Sequence, residues 1–154
     1  DALITALQTD IPVWMVLHCN HARELSEDVA SACNKLSQSG IPLLSQSVLL
    51  KGVNDDVQTL TELLRALVRL KVKPYYLHHP DRARGTARYR LSLAECRALI
   101  KSLRGRISGL CQPTYVVDIP GGHGKTLAQN ASELPEDHGW SLVGWDGNSH
   151  TYQD

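Results

Sequence analysis

Neither sign of charge predominates in this chain: sixteen lysines and arginines cancel sixteen aspartates and glutamates. No bulk field therefore recruits nucleic acid or an anionic membrane, and recognition has to come from a local site. Long apolar runs are missing as well, and none approaches the roughly 18 residues of a membrane span. No signal-peptide pattern is present. Because the chain opens at Asp1 rather than Met, coding sequence is expected upstream. Cysteine is sparse and scattered. Cys19, Cys33, Cys96 and Cys111 have no C-x-x-C or zinc-ribbon spacing, which argues against a metal site built from them. Cys33 and Cys96 fall on apolar helical positions and read as small buried hydrophobes in a reducing compartment, so a cytoplasmic location is expected.

What is present is the composition of one soluble globular domain, with 42% hydrophobic and 21% charged residues over 154 positions. Four segments start at a proline and continue into a strand-like run: Pro12–His18, Pro42–Leu50, Pro74–His78 and Pro113–Ile119. Their starts lie 30, 32 and 39 residues apart, the rhythm of βα units. Helical patterns fill the intervals. The first runs from an N-cap at Ser26, with Glu27 and Asp28 in its first turn, to Gly40. The second follows Asn54-Asp55-Asp56 and puts Val57, Leu60, Leu63, Leu64, Leu67 and Leu70 on one face. The third opens with a capping box, Ser92 with Glu95, and ends before Gly105.

Such alternation predicts a parallel sheet whose ligands sit at the carboxyl ends of the strands. Those ends carry His18, Asn20 and His21, then Gln46, then His78, His79 and Asp81, then Asp118. Polar residues at four consecutive strand ends point to a shared pocket. Four strands are too few to close a barrel, which takes about eight strands and ~250 residues, so the fold expected is the C-terminal part of a larger α/β barrel. Trp140–Tyr152, with Asp146-Gly147-Asn148 in its middle, reads as an appended hairpin, and 130–138 as a polar linker.

The most informative stretch is Pro113–Lys125. A β-branched run ends on a carboxylate, Asp118, which needs a cationic partner if buried. Gly121, Gly122 and Gly124 then flank His123 and lead to Lys125, on a backbone free to approach a ligand closely. A lysine there is a candidate Schiff-base nucleophile; a glycine-rich turn with a solvated lysine is the alternative. A phosphate-cradling P-loop is excluded, because the glycine it needs five residues before Gly124 is Ile119.

His18-Cys19-Asn20-His21 with Arg23-Glu24, Gln46–Leu50 with Gly52-Val53-Asn54-Asp55, Pro74-Tyr75-Tyr76 with His79-Pro80-Asp81, Leu103-Arg104-Gly105 with Ser108-Gly109, and Val117–Gly122 with Gly124-Lys125 follow one another in order. By these motifs nearly the whole chain resembles the pyridoxal phosphate-dependent radical S-adenosylmethionine aminomutases, the family typified by lysine 2,3-aminomutase. The resemblance implies a partial TIM-like radical enzyme barrel over residues 1–125, ending in the cofactor-lysine loop, and a linker with a C-terminal hairpin over 126–154. It implies conversion of L-lysine to β-lysine: a 4Fe-4S cluster cleaves S-adenosylmethionine to a radical that abstracts hydrogen from the substrate on pyridoxal phosphate, and the amino group migrates. Lys125 then resembles the lysine that binds pyridoxal phosphate, with Gly121, Gly122 and Gly124 letting the backbone wrap the cofactor. His18 and Gln46 resemble contacts to S-adenosylmethionine, and Asp81 with Asp118 the pair that holds the ammonium of substrate lysine. The full-length form is expected to be a homo-oligomer.

The departures are equally specific. The three-cysteine cluster motif C-x-x-x-C-x-x-C is absent from these residues, so the chain alone is expected to be inactive and to need the missing N-terminal barrel portion. Asp56 stands where some family members carry a zinc-binding cysteine, and no structural zinc is expected. His123 replaces a glycine of the commonest loop form. A β-lysine-forming enzyme for elongation factor P modification and an inactive pyridoxal phosphate- or nucleotide-binding module are the other functions considered; two carboxylates disfavour a glutamate substrate.

Overall fold

The computed structural model describes residues 2–135 and 139–154. A short helix α1 (Ala2–Leu7) precedes β1 (Met15–His18), α2 (Glu27–Gln38), β2 (Leu43–Val48), α3 (Val57–Arg69), β3 (Val72–His78), α4 (Leu93–Leu103) and β4 (Thr114–Asp118). Four strands follow: β5 (Lys125–Leu127), β6 (Ser132–Glu133), β7 (Trp140–Val143) and β8 (Ser149–Tyr152). β1 to β4 are parallel neighbours in chain order, β5 returns antiparallel on β4, and β6, β7 and β8 make a separate antiparallel sheet. The α/β alternation expected from the sequence is the one that folds.

Local signals account for the helix limits. Ser26 Oγ accepts the Val29 N–H at the start of α2, and Gly40 follows its end at φ 79°, a conformation that favours glycine. Of the three polar residues before α3 it is Asp56 that caps, accepting the Thr59 N–H at 2.9 Å. At α4 the capping box closes both ways: Ser92 Oγ accepts from the Glu95 N–H, and the Glu95 carboxylate accepts from the Ser92 N–H.

Strand limits correct the sequence reading at one proline. Pro12, Pro42 and Pro113 precede their strands, but Pro74 is the third residue of β3. It is tolerated there because the register against β2 slips at that point: Ser45 pairs with Pro74 and Gln46 with Tyr76, leaving Tyr75 unpaired. The slip resets the alternation, so that Leu77 turns into the core and His78 to the opposite face. Two strands escape the periodicity altogether. β5 begins at Lys125, directly opposite Asp118 on β4, and β6 lies within the expected linker, whose residues 136–138 lie outside the described ones. The Trp140–Tyr152 hairpin folds as expected.

One face of the parallel sheet is largely apolar and covered, with Ser45 and Ser47 of β2 also buried on it. Leu43, Val72, Leu77, Tyr115 and Val117 meet Cys33 of α2, Leu60, Leu63, Leu64 and Leu67 of α3 and Cys96, Ile100 and Leu103 of α4. Trp140, Leu142 and Tyr152 of the hairpin bury into the same cluster as α4. All four thiols are buried, and burial pushes Cys19 up to about 11 and Cys96 up to about 12. Cys33 and Cys96 are buried among apolar side chains, as the sequence indicated for those two. The other face carries His18, Gln46, Val48, His78 and Asp118 and has no helix upon it among the described residues. At the outer edge Trp14, 59% exposed, flanks β1, and Val16 lies on it.

The ends of β1 and β2 are joined by one buried amide. Asn54, with no exposed surface, accepts the Leu50 N–H through Oδ1 (2.7 Å) and donates from Nδ2 to the carbonyls of Asn20 (2.8 Å) and Val48 (2.9 Å). Asn20 Oδ1 in turn accepts the Val48 N–H at 2.7 Å. Replacing Asn54 by Ala strands three backbone groups, each costing about 1–3 kcal/mol when buried without a partner. A urea midpoint lowered by a corresponding amount checks this, and an unchanged midpoint refutes it.

His79 provides a pH handle on stability. Its ring is buried, with Nδ1 2.9 Å from the Tyr115 hydroxyl, and burial lowers its pKa to about 4. The unfolded chain, titrating near ~6.5, takes up the proton first as pH falls. Stability is therefore full above that value and lost as pH drops toward 4, and His79→Gln is expected to flatten the dependence of the urea midpoint between pH 7 and 5.

Candidate functional site

At the carboxyl ends of the parallel strands the uncovered face forms a recess of about 310 Å³ lined by His18, Gln46, His78, Asp81, Asp118 and Lys125. Five of these come from the strand-end reading of the sequence, and three separate chain segments plus the β4–β5 turn bring them together. His18 and Gln46 are partners in register at the ends of β1 and β2. Asp81 reaches the recess from the exposed loop after β3. Gly121, Gly122 and Gly124 lie in the turn that follows, all at positive φ of 92°, 84° and 82°, which is how a short loop reverses β4 into β5. The turn closes with the Ile119 N–H donating to the Gly124 carbonyl at 2.8 Å.

The centre of the recess is an ion pair. Lys125 Nζ lies 2.8 Å from Asp118 Oδ1, with the two side chains 43% and 34% exposed. At that exposure the pair contributes about 0–1 kcal/mol to stability, so it governs chemistry more than folding. The hydrogen bond that Lys125 donates to Asp118 raises the lysine pKa above its ordinary value, and the negative charges of Asp118 and Asp81 add to the effect. As folded, the amine is held protonated. A lysine nucleophile needs its lone pair, so parting from Asp118 has to precede any bond to a carbonyl.

Asp118 is held from its other side too. His78 Nδ1 lies 3.3 Å from Asp118 Oδ2, and His78 Nε2 is buried without a hydrogen-bond partner among the described residues. The sequence placed His78 at a strand end but gave it no role; the slip at Tyr75, which aims it at Asp118, leaves no periodicity signal. Its neighbour His79 also borders the recess, with Nδ1 against the Tyr115 hydroxyl. Other residues of the quoted motifs build the frame: Glu24 Oε1 accepts the N–H groups of Asn20 (2.7 Å) and His21 (2.8 Å), and Asn20 and Asn54 tie the strand ends.

The comparisons with known proteins point the same way. L-lysine 2,3-aminomutase of Clostridium subterminale is 41% identical over 136 residues, 88% of this chain and 33% of that protein. L-lysine 2,3-aminomutase of Methanococcus maripaludis is 42% identical over 125 residues, 81% of this chain and 29% of that protein. The chain is a homologue of the L-lysine 2,3-aminomutases and corresponds to a C-terminal portion of them. It spans about a third of the length of these curated relatives. A glutamate 2,3-aminomutase of Clostridioides difficile is 36% identical over 126 residues, 82% of this chain and 30% of that protein. Among solved structures, a radical SAM methyltransferase from Sphaerobacter thermophilus shares the fold with TM-score 0.54 over 76% of this chain and 37% of that one, at 20% identity. No family profile matches the chain.

If Asp118 holds the Lys125 ammonium, Asp118→Asn lowers the pH at which the amine becomes reactive. Competitive acylation of Lys125 followed across pH by mass spectrometry is expected to show a midpoint shifted down in the variant; an unmoved midpoint shows that the pair does not set the lysine's proton.

Proposed function

We propose that this chain is the part of a lysine 2,3-aminomutase that holds pyridoxal phosphate and the substrate side chain. The observation that carries the proposal is the gathering of Lys125, Asp118 and Asp81 on one recess at the strand ends, in a homologue of that family. The arc of four parallel strands, bare on one face and unpaired at β1 among the described residues, fits a barrel completed by the N-terminal portion that the relatives' greater length supplies. On this reading residues 1–125 are barrel units and 126–154 an extension packed against them.

The residues fit pyridoxal phosphate in kind. Lys125 is accessible at the recess, and one of the glycines before it, Gly122, borders open space: a side chain begun there would meet nothing within 4 Å. When bound, that group supplies an electron sink for amine migration. Asp118 governs the proton and direction of the lysine amine, and His78 lies against the other oxygen of Asp118. Asp81 and Asp118 present two carboxylates to the recess, an environment that attracts a substrate ammonium and repels a second carboxylate, which favours lysine over glutamate. His18 and Gln46, side by side, offer an imidazole and an amide to a polar ligand such as S-adenosylmethionine.

The residues do not fit an iron–sulfur cluster. Cys19 and Cys33 are buried in one core cluster and Cys96 and Cys111 in another, their thiols committed to packing, and no step through a cluster is assigned to this chain.

In the full-length protein, pyridoxal phosphate fixed by borohydride is expected on Lys125 and lost in Lys125→Ala; cofactor fixed to a different lysine defeats the assignment. Asp81→Asn and Asp118→Asn are each expected to lower kcat/KM for lysine by about 10- to 150-fold, the worth of a hydrogen bond to a charged group. Their cofactor content should be retained. Unchanged kinetics in either variant removes that aspartate from the site.

A further inference from the structure

The turn that carries Lys125 is braced by the C-terminal hairpin. His123, at its tip, lies against His150 of β8 with ring centroids 4.2 Å apart and planes tilted by 32°. Trp145, in the β7–β8 turn, stands beside Gly124, its Cδ1 3.6 Å from where a side chain on that glycine would begin. His150 Nε2 is buried with no hydrogen-bond partner among the described residues, so packing rather than a polar bond determines where this ring lies.

The two sides of this contact differ in how well they hold themselves. The hairpin is fixed at its base, where Trp140, Leu142 and Tyr152 are buried. Its tip is fixed by the Asp146 carboxylate, which accepts the Asn148 N–H (3.0 Å) and the Asn148 Nδ2 amide (2.6 Å), and by the Gly144 N–H donating to the Asn148 carbonyl (2.9 Å). The 120–124 turn has three glycines at positive φ, the residue type that loses most conformational freedom on ordering. One backbone bond, Ile119 to Gly124, spans it. A self-supporting element therefore meets one whose shape depends on its neighbours.

We propose that His123 and His150 form a clasp that fastens the Lys125 turn to the C-terminal hairpin, which makes His123 a positioning residue for Lys125. The consequence for the cofactor rests on the reading of Lys125 given above; the clasp itself does not. It gives a purpose to the histidine that replaces a glycine of the commonest loop form, and to the hairpin, which otherwise lies outside the recess.

The test is amide hydrogen exchange in the full-length protein for wild type, His123→Ala, His150→Ala and the double variant. Each single change is expected to speed exchange of residues 119–126 by about 2- to 12-fold, the worth of a ring pair, and the double variant no further than the larger single effect. His123→Phe, which stacks but makes no hydrogen bond, is expected to restore slow exchange. Additive effects, no effect on 119–126, or loosening spread over 140–143 as well would overturn the clasp. The release rate of pyridoxal phosphate, the probe used, is expected to rise in the two alanine variants and return in His123→Phe. Coupled exchange with cofactor retained in Lys125→Ala upholds the clasp and defeats the lysine assignment, so the two ideas fail separately.

Discussion

A buried amide, Asn54, completes the set of bonds that holds together the end of the sheet where the recess lies. Asn54 satisfies three backbone groups from the termini of β1 and β2, at distances of 2.7–2.9 Å, and each would otherwise be a buried polar group with no water in reach. Parallel strands exchange no tight turn; each ends in a loop that runs away toward the next helix. The ladder and the Cys19 N–H bond to the Gln46 carbonyl hold His18 beside Gln46, but the loop residues just beyond them would be freer to splay without a further cross-link. Asn54 removes that freedom, and Glu24 does the same for the loop after β1 by capping Asn20 and His21. Motif residues that a functional reading would place around a ligand are thus spent on the geometry that makes a ligand site available.

On the far side of the recess the constraint is electrostatic. Asp118 ends a strand whose three preceding residues are buried, and its charge is answered by Lys125 on one oxygen and approached by His78 on the other. The antiparallel return of β5 is what produces the pairing, because register places residue 125 across from residue 118. The same carboxylate that steadies the lysine ammonium would suit a substrate ammonium, and it cannot serve both at full strength. A reaction that requires the lysine to be uncharged would release Asp118 for the incoming cation, so the site can exchange one positive charge for another without ever leaving the carboxylate bare.

Several features were legible in the residues. The proline-started runs and the intervening amphipathic patterns fixed the order of elements, because burial of one sheet face and one helix stripe imposes periods that survive in the residue order. Ser26, Ser92 and Gly40 marked helix limits because caps are local chemistry. The pocket was legible for a topological reason: strand ends of a parallel sheet converge, so polar residues there meet whatever the loops do. β5 and β6 were invisible, being two or three residues long. The inclusion of Pro74 within β3 was hidden as well, since a strand tolerates proline only where a neighbour's register slips, and that is decided by the partner strand.

The sequence by itself determined the α/β alternation, the helix caps, the chemical types at the strand ends and the kinship with the lysine 2,3-aminomutases, since all of these reside in local order and spacing. Tertiary structure alone decided that Lys125 faces Asp118, that His78 meets Asp118 while His79 meets Tyr115, and that His123 lies on His150. Each of these depends on register between strands or on the docking of a hairpin far along the chain, and a one-residue shift in either would send the same side chains to the opposite face.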